Sequence, residues 1–167
     1  VPDIIHDCLT LADSEAIAEY LDERFPSPPM MPDDVTARAR ARELSRFHDT
    51  RLEPVLRSFF GQVAPAGRDS AIIAETGTLL QARLDQLAEI AAPAPLLTGE
   101  QLALADCGFV ASFGILDLLR EVLDLEVALP QPIAAYACEL AAHQSVAPED
   151  SRYRQALRDW AHSKVAL

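Results

Sequence analysis

The sequence feature that most constrains the fold is the segment 109–119, which predicts a helix with apolar side chains around almost its whole circumference. A helix without a polar face has to lie at the centre of a hydrophobic core, because no side of it suits water. The segment therefore predicts a helical bundle built around it. Its apolar residues are Phe109, Val110, Phe113, Ile115, Leu116, Leu118 and Leu119.

One carboxylate, Asp106, stands at the first turn of this central helix. A carboxylate inside a core is costly unless it is hydrogen-bonded. The N–H groups at the start of a helix have no partner within the helix and are the obvious donors. We therefore expect Asp106 to accept backbone hydrogen bonds at this helix start.

Helical spacing of apolar residues predicts four further helices in the second part of the chain. The first should be kinked at Pro54, because proline removes one backbone hydrogen bond and clashes with the preceding turn. In the last, Trp160 is expected to pack in the core. The predicted ranges are about 33–60, 69–92, 130–143 and 149–164.

Three arginines, Arg38, Arg42 and Arg46, recur every four residues along one face of the first of these helices. Like charges at this spacing repel each other mildly. The stripe is either a solvated basic face or a contact with an acidic surface of another subunit. Acidic residues of the N-terminal helix, described next, are candidates for that surface: Glu15, Glu19, Asp22 and Glu23.

The N-terminal segment 1–25 has a different pattern. Two short apolar runs, 1–5 and 9–11, flank a polar turn at 6–8, which predicts a β-hairpin. Asp13 and Ser14 then precede residues at helical spacing, which predicts a helix start. Taken alone, Asp13 and Ser14 could be no more than a helix cap.

A proline-rich stretch at 25–33 separates this hairpin and helix from the rest of the chain. Four prolines within nine residues exclude a continuous helix or paired strand. We therefore predict an N-terminal piece at 1–27, a linker at 28–34 and an all-α domain at 35–167.

Composition narrows the functional classes. The net charge of −12 argues against nucleic acids and anionic membranes as partners, because both select basic surfaces.

The chain shows neither an apolar run long enough to span a membrane nor a signal-peptide pattern, which predicts a cytoplasmic protein. Three cysteines and four histidines show no metal-ligand spacing, so no metal site is expected. Cys107 and Cys138 are predicted to be reduced core residues.

Three motifs in this order resemble the glutathione transferase family: Val1-Pro2, Asp13-Ser14, and a loop glycine, Gly99, followed by Leu104-Ala105-Asp106. The resemblance implies a mostly α fold, in which a partial thioredoxin-like α/β domain precedes an all-α helical domain. In that family a β-α-β unit comes before the proline strand, and residues 1–167 do not include it. Ala103 replaces the capping Ser or Thr of the family, which should weaken the helix cap by about 1 kcal/mol.

The resemblance also implies a glutathione site. Pro2 would be cis, the backbone of Val1 would pair with the cysteinyl part of glutathione, and Asp13 and Ser14 would hold its γ-glutamyl end. A helix N-terminus favours an anion such as a carboxylate, which agrees with this assignment. The residue that activates the thiol would lie upstream of Val1, so the catalytic residue is unknown.

The implied activity is transfer of glutathione, as co-substrate, to a small hydrophobic electrophile, or a related glutathione-dependent reaction. The electrophile would occupy a cleft between the N-terminal piece and the long helix, with Phe47, His48, Arg51 and Phe113 as candidate contacts. The implied assembly is a homodimer. The alternative is a non-catalytic interaction or scaffold module of the same fold, and a weaker one is a plain helical bundle with a fortuitous hairpin.

Overall fold

The computed structural model describes residues 3–165 of the 167-residue chain, with side chains described through residue 164. A hairpin and one helix come first, and a bundle of helices follows, as predicted from the sequence. The strands are β1 (Asp3–His6) and β2 (Leu9–Ala12), and the helices are α1 (Ser14–Arg24), α2 (Val35–Phe47), α3 (Glu53–Ser58), α4 (Ser70–Ile90), α5 (Leu104–Leu123), α6 (Gln131–Ala142) and α7 (Ala147–Val165).

The two strands form an antiparallel hairpin in which Ile4 pairs with Leu11 and His6 pairs with Leu9. A two-residue turn joins them, and Asp7 within it has a left-handed φ of 54°, a conformation that aspartate tolerates better than most residues. The hairpin packs on α1, where the Nδ1 atom of His6 lies 2.6 Å from the hydroxyl of Tyr20. Ile17 is the buried residue of α1.

The proline-rich stretch 25–34 contains no helix or strand, in agreement with the predicted break. It is nevertheless hydrogen-bonded to the helices on either side of it in space. The Met30 N–H donates to Asp22 of α1 at 2.6 Å, and the Met30 carbonyl accepts from the Leu104 N–H at the start of α5 at 2.9 Å. The stretch therefore links the N-terminal piece to the central helix.

The long helix predicted at 33–60 is divided. α2 ends at Phe47, a π-helical turn spans His48–Leu52, and α3 begins at Glu53. Pro54 has no N–H to donate to the preceding turn, and the Glu53 N–H bonds to the carbonyl of His48, five residues earlier. The helix is thus irregular just before Pro54, where a kink was predicted, and the irregularity is a turn widened by one residue.

α5 is the central helix, as its apolar sequence predicted, and eleven of its twenty residues are buried. Asp106 is fully buried and accepts hydrogen bonds from the Ala103 N–H at 2.9 Å, the Leu97 N–H at 3.2 Å and the Tyr136 hydroxyl at 2.9 Å. The expected backbone bonds are confirmed. The bond from Tyr136 on α6, which joins a second helix to the helix start, was not predicted.

The outer helices complete the core around α5. Asp69 caps α4 by accepting from the Ala71 N–H at 2.8 Å. Trp160 of α7 packs on Phe60 with ring centroids 5.0 Å apart, so its predicted packing role is confirmed. Within residues 3–165, no helix combines the length and the apolar character that crossing a bilayer requires.

The expectation that Cys107 and Cys138 are core residues is wrong, because both side chains are exposed. Helical periodicity assigns a residue to one face of a helix but does not show how far the neighbouring segments cover that face. In the arginine stripe, Arg42 forms an ion pair at 3.0 Å with Glu19 of α1 in the same chain. A contact of the stripe with another subunit stays a prediction.

Candidate functional site

The cleft that concerns function lies where α1 meets α2 and α5, and has a volume of about 400 Å³. Ser14 and Glu15 line it from the first turn of α1, and Cys107 and Ser112 line it from α5. The side chain of Tyr153 on α7 contributes to the same lining. The start of α1 therefore opens into a partly open cleft of ligand size.

Asp13 occupies the junction between β2 and α1 with an unusual backbone. Its φ is 125°, a region that residues other than glycine rarely adopt and that costs about 1–3 kcal/mol. Its Oδ1 atom accepts from the N–H groups of Glu15 and Ala16 at 3.1 and 3.0 Å. Asp69 caps α4 in the same way with an ordinary φ of −123°, so capping alone does not require the strain at Asp13.

Ser14 is the first residue of α1 and is exposed at the cleft. The capping bonds of Asp13 involve the N–H groups of the next two residues, and neither the N–H nor the hydroxyl of Ser14 takes part in them. A polar donor at the positive end of a helix is suited to a carboxylate ligand. The geometry is thus compatible with the predicted role of Ser14.

Two polar contacts hold α1 against α2 beside the cleft. The hydroxyl of Ser45 donates to the Glu15 carboxylate at 2.5 Å, and the Arg42 guanidinium donates to both carboxylate oxygens of Glu19, at 3.0 and 3.3 Å. The bond with Glu19 raises the pKa of Arg42 further. These contacts fix the distance between the helix start at Ser14 and the wall formed by α2.

His48 lies in the opposite wall, at the first position of the π-helical turn, with only 6% of its surface exposed. Its Nδ1 atom lies 2.7 Å from Oδ1 of Asp49, and its Nε2 atom lies 2.8 Å from Oγ of Ser112 on α5. The ring also packs on Phe109 at 4.9 Å. The expectation that His48 faces a cleft from the long helix agrees with this position.

Gly108 of α5 makes room for the imidazole of His48. A Cβ atom at this position would lie 2.5 Å from Cε1 and 2.6 Å from Nδ1 of the ring. Real Cβ atoms do not approach so closely, so α5 accepts the ring only because residue 108 has no side chain. The spacing of Gly108 and Ser112, one helical turn, places both on the face toward His48.

The other residues predicted to contact the electrophile do not share this cleft. Phe47 and Arg51 line a separate groove between α2 and α4, of about 440 Å³. Phe113 is buried in the core against Phe109 and Tyr136. The expectation that all four residues line one cleft is therefore wrong in its geometry, because the π-helical turn separates their directions. Val1 and Pro2 lie outside the described residues.

The charge in the cleft is predominantly negative. Three carboxylates, from Glu15, Asp49 and Glu53, face a single guanidinium, from Arg57, which pairs with Glu53. Among residues 3–165, no group of three or more potential ligands is placed to hold a metal ion. The cleft offers hydroxyls, carboxylates and an imidazole as its polar groups.

Two further titratable groups of the cleft have raised pKa values. Partial burial in the wall, together with the nearby charges of Asp106 and Glu15, raises the pKa of the Cys107 thiol. Desolvation likewise raises the pKa of the Tyr153 hydroxyl. Both groups are consequently protonated at neutral pH, and Cys107 is a poor nucleophile because the thiolate is the reactive form.

The sequence did not identify Glu15, Ser112 and Gly108 as parts of this cleft. Ser112 interrupts the otherwise apolar face of α5, and a lone hydroxyl in such a helix is the one signal that could have been noticed. Its partner His48 lies 64 residues away in the sequence. No periodic pattern connects two residues at that separation.

Comparisons with known proteins extend these observations. No family model matches the chain. It is 34% identical over 110 residues to the stringent starvation protein A homolog of Pasteurella multocida, a match that covers 64% of this chain and 48% of that protein. It is 26% identical over 181 residues to a probable glutathione S-transferase of Oryza sativa subsp. japonica, covering 99% of this chain and 76% of the relative.

Among solved structures, the holo structure of maleylpyruvate isomerase, described as a bacterial zeta-class glutathione S-transferase, superposes with a TM-score of 0.64. The sequences are 25% identical, and the match covers 87% of this chain and 70% of that one. The matched region is about half the length of the first curated relative. A hairpin and helix followed by a helical bundle, together with these relatives, show that the chain has the glutathione S-transferase fold and is similar in sequence to members of that family.

Proposed function

We propose that the intact protein is a glutathione-dependent transferase, which binds glutathione at the start of α1 and transfers it to a small electrophile in the adjoining cleft. The observation that carries the proposal is the opening of the α1 helix start, at Ser14, into the 400 Å³ cleft. A ligand whose carboxylate is held at that helix start would extend its remaining atoms along the cleft wall. The non-catalytic scaffold module is the alternative.

The backbone at Asp13 supports this assignment. Strained residues persist where the surrounding structure enforces them, and they concentrate at binding sites. Asp13 has a φ of 125° and directly precedes Ser14, which lines the cleft. In the proposal it accepts from the ammonium of the γ-glutamyl group, Ser14 donates to the carboxylate, and Val1 and Pro2 complete the site.

The proposed domain organisation follows from the same assignment: an N-terminal piece at 1–27, a linker at 28–34 and a helical domain at 35–167. Glutathione would bind mainly to the first piece, and the electrophile would contact the helical domain. Of the four residues predicted to contact the electrophile, the proposal keeps His48, which lines this cleft. The apolar part of the lining comes from Leu104, Ala111 and Ile115 of α5.

Ser14→Ala tests the glutathione site in the intact protein. We expect glutathione binding to weaken by about 1–3 kcal/mol, the usual loss for a hydrogen bond to a charged group. Isothermal titration calorimetry measures the affinity directly. Ser70→Ala is the matched control, because Asp69 and Ser70 form the same Asp-Ser helix start on α4, away from the cleft.

Equal affinities of the wild type and Ser14→Ala would show that Ser14 is only part of a helix start. Absence of any glutathione binding by the wild type would refute the transferase and favour the scaffold module. Loss of affinity in Ser70→Ala as well would point to a general effect on the fold.

We also propose a homodimer. Arg38 and Arg46 are the members of the arginine stripe that flank the internal Arg42–Glu19 pair. Large apolar side chains are also exposed elsewhere on the helical domain, at Ile72 and Leu79 of α4. Light scattering at micromolar concentration and moderate salt should give twice the mass of one chain. A monomer under these conditions would refute the dimer without affecting the glutathione site.

A further inference from the structure

We propose that Ser112, supported by His48 and Asp49, is a proton-transfer centre that protonates the glutathione adduct of an electrophile reacting by addition. Addition means attack on an activated carbon–carbon double bond or an epoxide, where no leaving group departs. The proposal rests on the proposed function and specifies its substrate class. It assigns a catalytic role to Ser112 and positioning roles to His48 and Asp49.

The three side chains form one continuous hydrogen-bonded chain. Oδ1 of Asp49 lies 2.7 Å from Nδ1 of His48, and Nε2 of His48 lies 2.8 Å from Oγ of Ser112. The Asp49 side chain is 43% exposed, whereas the imidazole and the hydroxyl are buried. A carboxylate that orients an imidazole toward a hydroxyl is the arrangement that activates a serine for proton exchange.

The ring of His48 has close partners on several sides. The two hydrogen bonds engage both nitrogens, Phe109 packs at 4.9 Å, and the ring lies so close to the backbone of Gly108 that a Cβ atom there would be 2.5 Å from Cε1. An ordinary core histidine needs one or two hydrogen bonds, but it does not need to line a ligand-sized cleft. His48, Asp49 and Ser112 all line the cleft that begins at Ser14.

The proposed step balances its protons. In both classes of reaction the thiol proton of glutathione is released to solvent before the S–C bond forms, and Ser112 takes no part in that release. The thiolate then forms the S–C bond, and the electron pair of the double bond or of the broken C–O bond is left on the adduct as an anion. The Ser112 hydroxyl gives its proton to this anion and regains one from Nε2 of the His48 imidazolium, which the Asp49 carboxylate stabilises and which takes up a new proton from solvent.

This cycle distinguishes two classes of electrophile. An addition product needs a proton before it can leave as a neutral molecule, so loss of Ser112 should slow its formation. A substitution at an aryl halide expels a halide ion, and its product needs no proton. The same hydroxyl is therefore required for one reaction and dispensable for the other, a difference that a purely structural role would not produce.

The test compares the intact wild type with Ser112→Ala on two probes, an α,β-unsaturated ketone (trans-4-phenyl-3-buten-2-one) and 1-chloro-2,4-dinitrobenzene. General acid–base catalysis contributes roughly 10²–10⁴-fold. We accordingly expect kcat for the ketone to fall about 100-fold, while kcat for the halide changes less than about threefold. Glutathione affinity, measured by calorimetry, should be unchanged. Ser58→Ala, which removes a hydroxyl bonded to the Val55 carbonyl outside the cleft, is the control.

Equal losses on both probes, or no loss on either, would overturn the proton-transfer centre while leaving the transferase intact. A wild type that binds no glutathione would instead overturn the proposed function itself. If Ser112→Ala does not fold, Asp49→Asn tests the proposal instead, because Asp49 is the solvent-exposed member of the three hydrogen-bonded side chains. It should slow the ketone reaction about tenfold and spare the halide reaction, and an equal effect on both reactions would refute the proposal.

Discussion

Asp106 and His48 are both polar side chains buried against α5, but they are bound in opposite ways. Asp106 is fully enclosed and accepts two backbone N–H groups and one tyrosine hydroxyl, all from segments that pack directly on it. His48 has one partner that reaches solvent, Asp49, and one that lines a cleft, Ser112. The first arrangement joins the loop, α5 and α6, and the second joins solvent to a cavity.

This contrast indicates how to separate a structural buried polar group from a functional one. Burial raises the pKa of Asp106, and its hydrogen bonds act against that effect by stabilising the ionised form. Every contact of Asp106 is used to hold the helix start together. The contacts of His48 hold a ring in place beside empty space, and such a placement contributes to function more than to stability.

The largest expected effect is that of Asp106→Ala. The substitution leaves two buried N–H groups and the Tyr136 hydroxyl without an acceptor, and each unsatisfied group costs about 1–3 kcal/mol. We expect a loss of about 3–5 kcal/mol in the free energy of unfolding, measured by urea denaturation. Asp69→Ala, which removes an exposed cap of α4, should cost only about 0.5–2 kcal/mol. Similar losses in the two variants would contradict the structural role of Asp106.

A smaller effect is expected for Gly108→Ala. Overpacking against the His48 ring costs about 1–3 kcal/mol and outweighs the gain of about 1 kcal/mol in helix propensity. Thermal unfolding should show a net loss, and the imidazole resonances of His48 should shift in NMR spectra. The matched control is Gly114→Ala on the same helix, where the new Cβ makes ordinary contacts at 3.4 Å with Tyr153. If both variants were more stable than the wild type, the His48 ring would be able to move away from the new Cβ atom, and its fixed position in the cleft wall would be contradicted.

The smallest effect concerns the missing hydroxyl at the start of α5. Asp106 already bonds to the Ala103 N–H, and a serine at position 103 would add the reciprocal bond by accepting from the Asp106 N–H. Ala103→Ser should therefore stabilise the fold by about 1 kcal/mol, measured as a rise in the urea midpoint. Ala91→Ser, which adds a buried hydroxyl at the end of α4, should give no gain. Equal stability of these two variants would show that the start of α5 gains nothing from a further capping hydrogen bond.

The sequence predicted the backbone well because each element has a local cause. The apolar circumference of α5, the helix start at Asp13 and the break at 25–33 are visible within a few residues of where they act. The kink at Pro54 was predicted for the same reason. Its form was not, because a turn widened by one residue depends on how the following helix packs.

The site was predicted less completely because its contacts are long-range. Periodicity placed Phe47, His48 and Arg51 on one helix, but the π-helical turn directs His48 to one side and the other two to the groove beside α4. The ion pair of Arg42 with Glu19 joins residues 23 positions apart, and it depends on how α1 docks onto α2. Such pairings follow from tertiary packing, which no local pattern encodes.

The docking of α1 has a consequence for hydrogen exchange. α1 contributes a single buried side chain, Ile17, and is attached to α2 mainly by the Arg42–Glu19 and Ser45–Glu15 contacts, whereas α5 buries eleven residues. Segments with little buried apolar surface open at a lower free energy than the whole molecule. The amides of α1 should exchange through such sub-global opening, and a ligand bound at Ser14 would slow their exchange before it affects the amides of α5.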